Sequence, residues 1–185
     1  RFGEDGQIQG ILDALKLPYT GSGKSASELA MDKIASRRIF QAHKLPVPRY
    51  RVYQKSRYKK GLIAQGADFP LVVKPAAQGS SIGLSIADNS RALDKAVDLA
   101  FSFDERVIVE AYIKGREITV GILDQRALPV VEIIPKRRFF DYQAKYRAGL
   151  TDYVVPAKIA YRVAGKAKSA ALAAHKLLGC AGCSR

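Results

Sequence analysis

Hydrophobic residues recur every three or four positions in several stretches of the chain, the spacing that places them on one face of an α-helix. The first stretch, from Ile8 to Leu15, follows two carboxylates that suit a helix N-terminus. The pattern predicts helices over residues 8–15, from a capping box at Ser25–Glu28, from an Asp32 cap to Leu45, from about Ser90 to Phe103, and from Ile159 to Leu178.

Shorter runs of aliphatic residues without helical spacing predict β-strands. Two of these runs read as buried strands, and two longer ones read as an antiparallel pair joined by a tight turn. The predicted strands are Phe69–Val73, Val107–Val109 ending at Glu110, residues 117–123, and residues 128–134.

Residues 139–151 lie between the last predicted strand and the final helix and show no regular hydrophobic period. The segment carries aromatic rings beside Asp141, Lys145 and Tyr146. Irregular segments of this length in compact domains usually serve as lids or binding loops. The sequence therefore predicts a lid here.

A lysine at the end of the first predicted strand is the most specific local pattern. Lys74 follows an apolar run, and its charge is costly at such a position unless an anion meets it. Residues 78–83, Gln-Gly-Ser-Ser-Ile-Gly, supply backbone N–H and hydroxyl groups that can approach an oxyanion closely. The pattern predicts an anion-binding flap, and a solvated hairpin with a surface lysine is the alternative. Lys33, at a predicted helix start, is also better placed if an anion lies nearby.

The composition is that of a folded protein rather than a disordered or membrane-spanning one. The 185 residues are 48% hydrophobic and 26% charged, which allows two small domains. No apolar run approaches the roughly 20 residues of a membrane span, and no signal peptide is visible, so a cytoplasmic location is expected. Because the chain begins with Arg1 and its only methionine is Met31, we expect an internal piece of a longer protein.

The net charge of +14 raises the question of a nucleic-acid partner. The basic residues form short clusters without an aromatic stacking platform or zinc-finger spacing, so a basic surface or a small anionic ligand explains the charge equally well. We therefore expect no nucleic-acid partner. Cys180 and Cys183 form a lone C-x-x-C after a helix, which favours a structural role over a zinc or redox site.

Seven motifs in order resemble the D-alanine–D-alanine ligases of the ATP-grasp superfamily. They are Gly3–Gly6, Pro18–Gly23, Met31–Lys33, Val73–Pro75, Gly79–Gly83, Glu110 through Glu117, and Phe140–Tyr146. The resemblance covers the whole chain. It implies an α+β ATP-grasp fold, in which two α+β lobes enclose the nucleotide, preceded by the tail of an N-terminal α/β domain. The implied boundaries are 1–26 for that tail, 27–112 for the central lobe, and 113–185 for an incomplete C-terminal lobe with the lid.

The resemblance also implies an activity: ATP-dependent joining of two D-alanines through an acyl phosphate, for peptidoglycan synthesis. ATP and D-alanine are the expected ligands, with Mg²⁺ (or Mn²⁺) as metal, a homodimer as the full-length assembly, and no membrane partner. The metal ligands are expected beyond Arg185, so the chain alone is expected to be inactive. The alternatives are a D-alanine–D-lactate ligase and a non-catalytic nucleotide- or RNA-binding module.

Carried over by position, the resemblance assigns a role to each candidate site residue. Nucleotide binding falls to Lys33 and Lys74 (α and β phosphates), Glu110 (adenine amino group), the backbone of Ala111 and Ile113 (adenine edge), and Glu117 (ribose). The catalytic set is Lys145 (γ phosphate), Ser80 and Tyr146 (a hydrogen bond that latches the lid), and Arg185 (acyl phosphate and tetrahedral intermediate).

Overall fold

A computed structural model describes residues 2–61, 63 and 66–185, and Arg1, where the expected N-terminal tail begins, lies outside them. The helices are α1 (Gln7–Ala14), α2 (Lys24–Met31), α3 (Lys33–Ala42), α4 (Ser90–Phe101), α5 (Tyr142–Tyr146) and α6 (Tyr161–Leu177). The strands are β1 (Tyr50–Gln54), β2 (Leu71–Pro75), β3 (Ser85–Ala87), β4 (Arg106–Ala111), β5 (Glu117–Leu123), β6 (Arg126–Pro135), β7 (Thr151–Val154) and β8 (Cys183–Ser184).

The first sheet is antiparallel, with strand order β1-β4-β2-β3. Helix α4 packs on one face, where Val73, Leu93, Val97 and Val107 are fully buried. Burying each such side chain contributes about 1.5–3 kcal/mol, which makes this cluster the main core of the lobe. Side chains alternate along a strand, so Glu110 emerges on the opposite face, which meets α3.

The second sheet is also antiparallel, with order β7-β6-β5-β8. Helix α6 lies across β5 and β6, and its alanines pack against Val120, Ile122 and Val130. The β5–β6 hairpin turns through Asp124 and Gln125, both at positive φ (44° and 64°), as a two-residue hairpin loop requires. The predicted antiparallel pair is therefore confirmed.

Two predicted helix boundaries are wrong. Helix α2 begins at Lys24 with Gly23 as its N-cap and no side-chain cap, so Ser25 lies inside the helix and not at its N-cap. The predicted capping box at Ser25–Glu28 does not form.

Helix α3 starts as predicted but ends early. The Asp32 side chain accepts hydrogen bonds from the backbone of Ile34 and Ala35, which confirms the predicted cap. The helix ends at Ala42 rather than Leu45 because Lys44 takes a left-handed conformation with φ 59°.

Among the residues that the structure describes, no helix combines the length and the apolar character that a membrane span needs.

Candidate functional site

Glu110 lies buried between two cationic side chains on the face of the first sheet that meets α3. Its Oε1 accepts a 2.6 Å hydrogen bond from Lys74 Nζ, and its Oε2 forms an ion pair with Arg37 Nη2. Only 7% of the Glu110 side chain is exposed, so the ion pairs with Lys74 and Arg37 take the place of hydration of its carboxylate. Burial lowers the pKa of the Lys74 ammonium, the Glu110 carboxylate raises it, and Arg37 lowers it.

Lys33, the first residue of α3, brings a third cation to this cluster. Its ammonium donates to the carbonyl oxygens of Gln78 at 2.5 Å and Ala76 at 3.4 Å. Burial lowers the pKa of Lys33 to about 8, and repulsion from Lys74 and Arg37 adds to this effect. Three cations thus converge while one carboxylate, Glu110, joins two of them. A bound anion would stabilise such a cluster of cations.

The glycine loop, residues 79–83, runs beside these cations with a strained backbone. Ser80, Ser81 and Gly83 all have positive φ, at 53°, 59° and 70°. At Gly83 a Cβ atom would lie 2.7 Å from Phe103 Cδ2 and 2.8 Å from Pro75 Cγ, so only glycine fits. Two non-glycine residues in this conformation are costly, and such strain clusters at ligand-binding sites.

The lid, residues 139–151, crosses from the second sheet to the glycine loop. Ser80 Oγ and the Tyr146 hydroxyl are hydrogen-bonded at 2.7 Å, and Ser81 Oγ donates to the Phe140 carbonyl at 2.9 Å. Near the start of the lid, Arg138 forms a bidentate ion pair with Asp88, just after β3. These contacts hold the lid against the first lobe.

Inside the lid, α5 presents Lys145 to a group of charged side chains. Its Nζ lies 5.3 Å from the Phe140 ring centroid, and Glu117, Arg185 and Glu4 all interact electrostatically with it. Burial lowers the pKa of Lys145, whereas the pKa of Glu117 is raised by burial and lowered by Lys145. The structure thus gathers the predicted residues of the lid, β5 and the chain end.

Ala111 and Ile113 lie where β4 leads into the second sheet. The backbone N–H of Ala111 donates to the Arg49 carbonyl at 2.9 Å. Ile113 has 68% of its surface exposed, in the connection between β4 and β5. Ala111 directly follows Glu110, and Ile113 lies three residues after it.

Two residues at the site were not predicted. Arg37 forms a short basic pair with Arg38 in the sequence, and its position four residues after Lys33 places both of these side chains on one helix face. Glu4 is one of the two carboxylates that precede the first predicted helix, and its Oε2 would lie 3.0 Å from a Cβ atom at Gly79, which places it beside the glycine loop. Helical spacing offers a signal for Arg37, whereas Glu4 is marked only by its place in the Gly3–Gly6 motif, which assigns it no role.

The described residues fit phosphate but not a divalent metal. Lysine ammonium groups and a glycine loop suit phosphate oxygens. Within residues 2–61, 63 and 66–185, no three Asp, Glu, His or Cys side chains cluster in a way that could hold a metal ion. Both cysteines are free thiols.

Two antiparallel sheets, with a strand-borne lysine, a glycine loop and a lysine-bearing lid between them, define an ATP-grasp protein. The chain belongs to the D-Ala–D-Ala ligase family, because the family model for the D-Ala–D-Ala ligase C-terminus matches residues 39–185.

Comparisons with individual proteins agree with this assignment. The D-alanine–D-alanine ligase of Geobacter sulfurreducens is 43% identical over 185 residues, which are 100% of this chain and 58% of that protein. The crystal structure of D-alanine–D-alanine ligase from Bacillus anthracis superposes with a TM-score of 0.85 at 35% identity, covering 98% of this chain and 60% of that one. The structure of the Bacillus anthracis ligase complexed with ATP gives a TM-score of 0.82 at 30% identity, covering 99% and 58%. This chain therefore spans about 60% of the length of these relatives.

Proposed function

We propose that the full-length protein containing this chain joins two D-alanines to D-alanyl-D-alanine at the expense of ATP, for peptidoglycan synthesis. One observation carries the proposal: the 2.7 Å hydrogen bond between Ser80 and Tyr146. It fastens the lid, which bears Lys145, over the loop that adjoins Lys33 and Lys74. Phosphoryl-transfer sites depend on such positioning of charge around the transferred group.

The proposed nucleotide contacts follow the charges at the site. Lys33 and Lys74 bind the α and β phosphates, and Lys145 neutralises charge on the γ phosphate. Beside Lys74, Glu110 accepts from the adenine amino group. The Ala111 carbonyl and the Ile113 backbone contact the adenine edge, and Glu117 binds the ribose.

The proposed chemistry has two steps. A carboxylate oxygen of the first D-alanine attacks the γ phosphorus, the bond to the β-phosphate oxygen breaks, and ADP leaves with an acyl phosphate formed. The amine of the second D-alanine then attacks the acyl carbon, inorganic phosphate leaves, and the amine loses a proton. Arg185 stabilises the negative charge on the acyl phosphate and on the tetrahedral intermediate.

We further propose a cytoplasmic homodimer with no nucleic-acid or membrane partner and a boundary between the lobes at residues 112 and 113. Residues 1–26 would belong to an N-terminal substrate domain. No step is assigned to Mg²⁺, because the described residues do not form a site for it.

The direct test is an assay of the purified full-length protein with ATP, magnesium and D-alanine. We expect ADP and phosphate release that depends on D-alanine, with the dipeptide identified by mass spectrometry. L-Alanine is the negative control. ATP hydrolysis that is independent of D-alanine would refute the proposal, and a depsipeptide formed preferentially from added D-lactate would favour the D-alanine–D-lactate ligase.

Substitution of the site lysines tests the proposed roles. Lys74→Ala and Lys145→Ala should each lower kcat/KM by at least about a hundredfold, because each removes a charge-assisted phosphate contact. Arg57→Ala and Lys60→Ala are matched controls, and Lys60 pairs with Asp98 on the surface. Equal losses across the four variants would mean that bulk positive charge, not a phosphate site, explains the lysines.

A further inference from the structure

Arg37 is held in place by two neighbouring groups, the Tyr50 ring and the Glu110 carboxylate. Its guanidinium carbon lies 5.0 Å from the centroid of the Tyr50 ring, and Nη2 forms the ion pair with Glu110. The Tyr50 hydroxyl donates in turn to Gln41 Oε1 at 3.1 Å, which fixes the ring. Only 11% of the Arg37 side chain is exposed. Arginine suits this place because its planar group stacks and pairs at once.

The two cations on Glu110 use different oxygens. Lys74 takes Oε1 and Arg37 takes Oε2, so the carboxylate plane is fixed by contacts at both ends. If Arg37 were absent, Lys74 would be the single cation directly paired with a carboxylate that is 7% exposed. Glu110 and Lys74 would then pair more fully with each other, because removing one partner leaves buried charge uncompensated.

We propose that Arg37 is a positioning residue that orients Glu110 toward the nucleobase and so sets the preference for a 6-aminopurine nucleotide over a 6-oxopurine one. The inference rests on the proposed function, in which Glu110 accepts from the adenine amino group. An ionised carboxylate accepts hydrogen bonds but cannot donate one, so it matches an amino group and not a carbonyl. Without Arg37 the acceptor is misaligned, and ATP loses a contact that ITP never makes.

The test is nucleotide binding to the full-length protein, measured by isothermal titration calorimetry with ATP and with ITP. We expect Arg37→Met to weaken ATP binding by about tenfold or more and ITP binding much less, so that the ratio of the two Kd values approaches one. A purely structural role would weaken both nucleotides equally. Arg38→Met is the matched control, because it removes the same charge from an exposed position on the same helix.

Two further variants complete the design. Arg37→Lys restores a cation beside Glu110 and should keep the preference for ATP within about twofold of the parent. If Arg37→Met does not fold, Arg37→Gln replaces it as the neutral variant. An unchanged ratio in the neutral variant, or an equal fall in Arg38→Met, overturns the inference.

The assay separates this inference from the proposed function. A parent protein that binds ATP and shifts its preference as expected, yet makes no dipeptide, would refute the ligase proposal and support the role of Arg37. A parent that prefers ITP or binds neither nucleotide would overturn the role of Arg37.

Discussion

At the scale of single residues, Lys33 is a cation whose surroundings oppose its charge. Burial is the main reason that its pKa falls from 10.5 to about 8, and repulsion from Lys74 and Arg37 adds to the fall, although two carbonyl oxygens accept hydrogen bonds from the ammonium. A bound phosphate would reverse this balance, because an opposite charge favours the protonated form. Protonation of Lys33 and nucleotide binding should therefore be coupled.

We expect ATP binding to take up part of a proton above pH 8 and to weaken as the pH rises through 8, because the free protein then has Lys33 neutral. Calorimetry in buffers of different ionisation enthalpy measures this uptake. Lys33→Arg should abolish it, whereas Lys59→Arg on the surface should not. Proton uptake that persists in Lys33→Arg would assign the proton to another group.

The same depressed pKa of Lys33 destabilises the folded state below pH 8. This loss of stability is relieved as the pH rises from 8 to 10.5.

Gly83 is a second residue with a definite cost of replacement. Gly83→Ala should lower the free energy of unfolding by about 2–4 kcal/mol, since the new methyl group meets Phe103 and Pro75 at a φ of 70°. Urea denaturation of the full-length protein measures the change. Gly115→Ala is the control, because no heavy atom lies within 4 Å of a Cβ atom there. Its effect should stay within about 0.5 kcal/mol, and a similar loss in both variants would contradict the steric argument.

At the scale of elements, the sequence predicts the long and periodic ones and misses the short ones. Helices α4 and α6 and the β5–β6 hairpin match the predicted segments closely, because their apolar faces pack on one neighbour. Strand β1 follows a proline-rich stretch and lies at a sheet edge, so its alternation is weak. Helix α5 is too short to show a period and depends on its Asp141 cap.

The site residues also fall into those that local sequence predicts and those that it does not. The strand lysine and its glycine loop follow from local sequence, whereas the roles of Glu110, Glu117 and Arg185 come from the family resemblance. Helical spacing places Arg37 on the same face as Lys33, but its pairing with Glu110 could not be predicted, because Glu110 comes from a distant strand and the pair is buried only when α3 packs on the sheet. Contacts of this kind depend on tertiary structure and leave little local signal.

The lid is the element whose chemistry we expect to decide the product. Tyr146→Phe removes the hydroxyl that bonds Ser80 at 2.7 Å, and a lost hydrogen bond in a closed site is worth roughly 1–3 kcal/mol. We expect the full-length variant to gain D-alanyl-D-lactate synthesis near neutral pH while its ATP affinity is retained. A competition assay with D-alanine and D-lactate reads dipeptide against depsipeptide. Tyr142→Phe, one helical turn earlier, is the control. If Tyr146→Phe makes only the dipeptide, and at the rate of the parent enzyme, then Tyr146 has a packing role alone.

At the scale of the whole molecule, the two sheets meet across a site to which both contribute. The first sheet brings Lys74 and Glu110, helix α3 beside it brings Lys33, and the second sheet brings Glu117 and the lid. The ion pair between Arg138 and Asp88 spans this junction at the surface, with about half of each side chain exposed (55% and 53%). Exposed pairs contribute little individually, so this pair should tune the junction without being essential to it.

A double-mutant cycle on the full-length protein tests this expectation. Arg138→Ala, Asp88→Ala and the double variant should give a coupling energy of about 0.2–1 kcal/mol in thermal unfolding. In about 1 M salt the coupling should weaken, because the screening length falls to about 3 Å. A coupling that is unchanged by salt would indicate a contact that is not electrostatic.

The bond between Ser80 and Tyr146 joins residues that are 66 positions apart in the chain. The glycine loop and the lid must therefore change together during evolution, although a long stretch of sequence separates them. A chimera that takes its lid from a relative needs the glycine loop of that relative as well. Recombination between the two segments preserves the hydrogen bond only when one parent supplies a serine and the other a tyrosine at these positions.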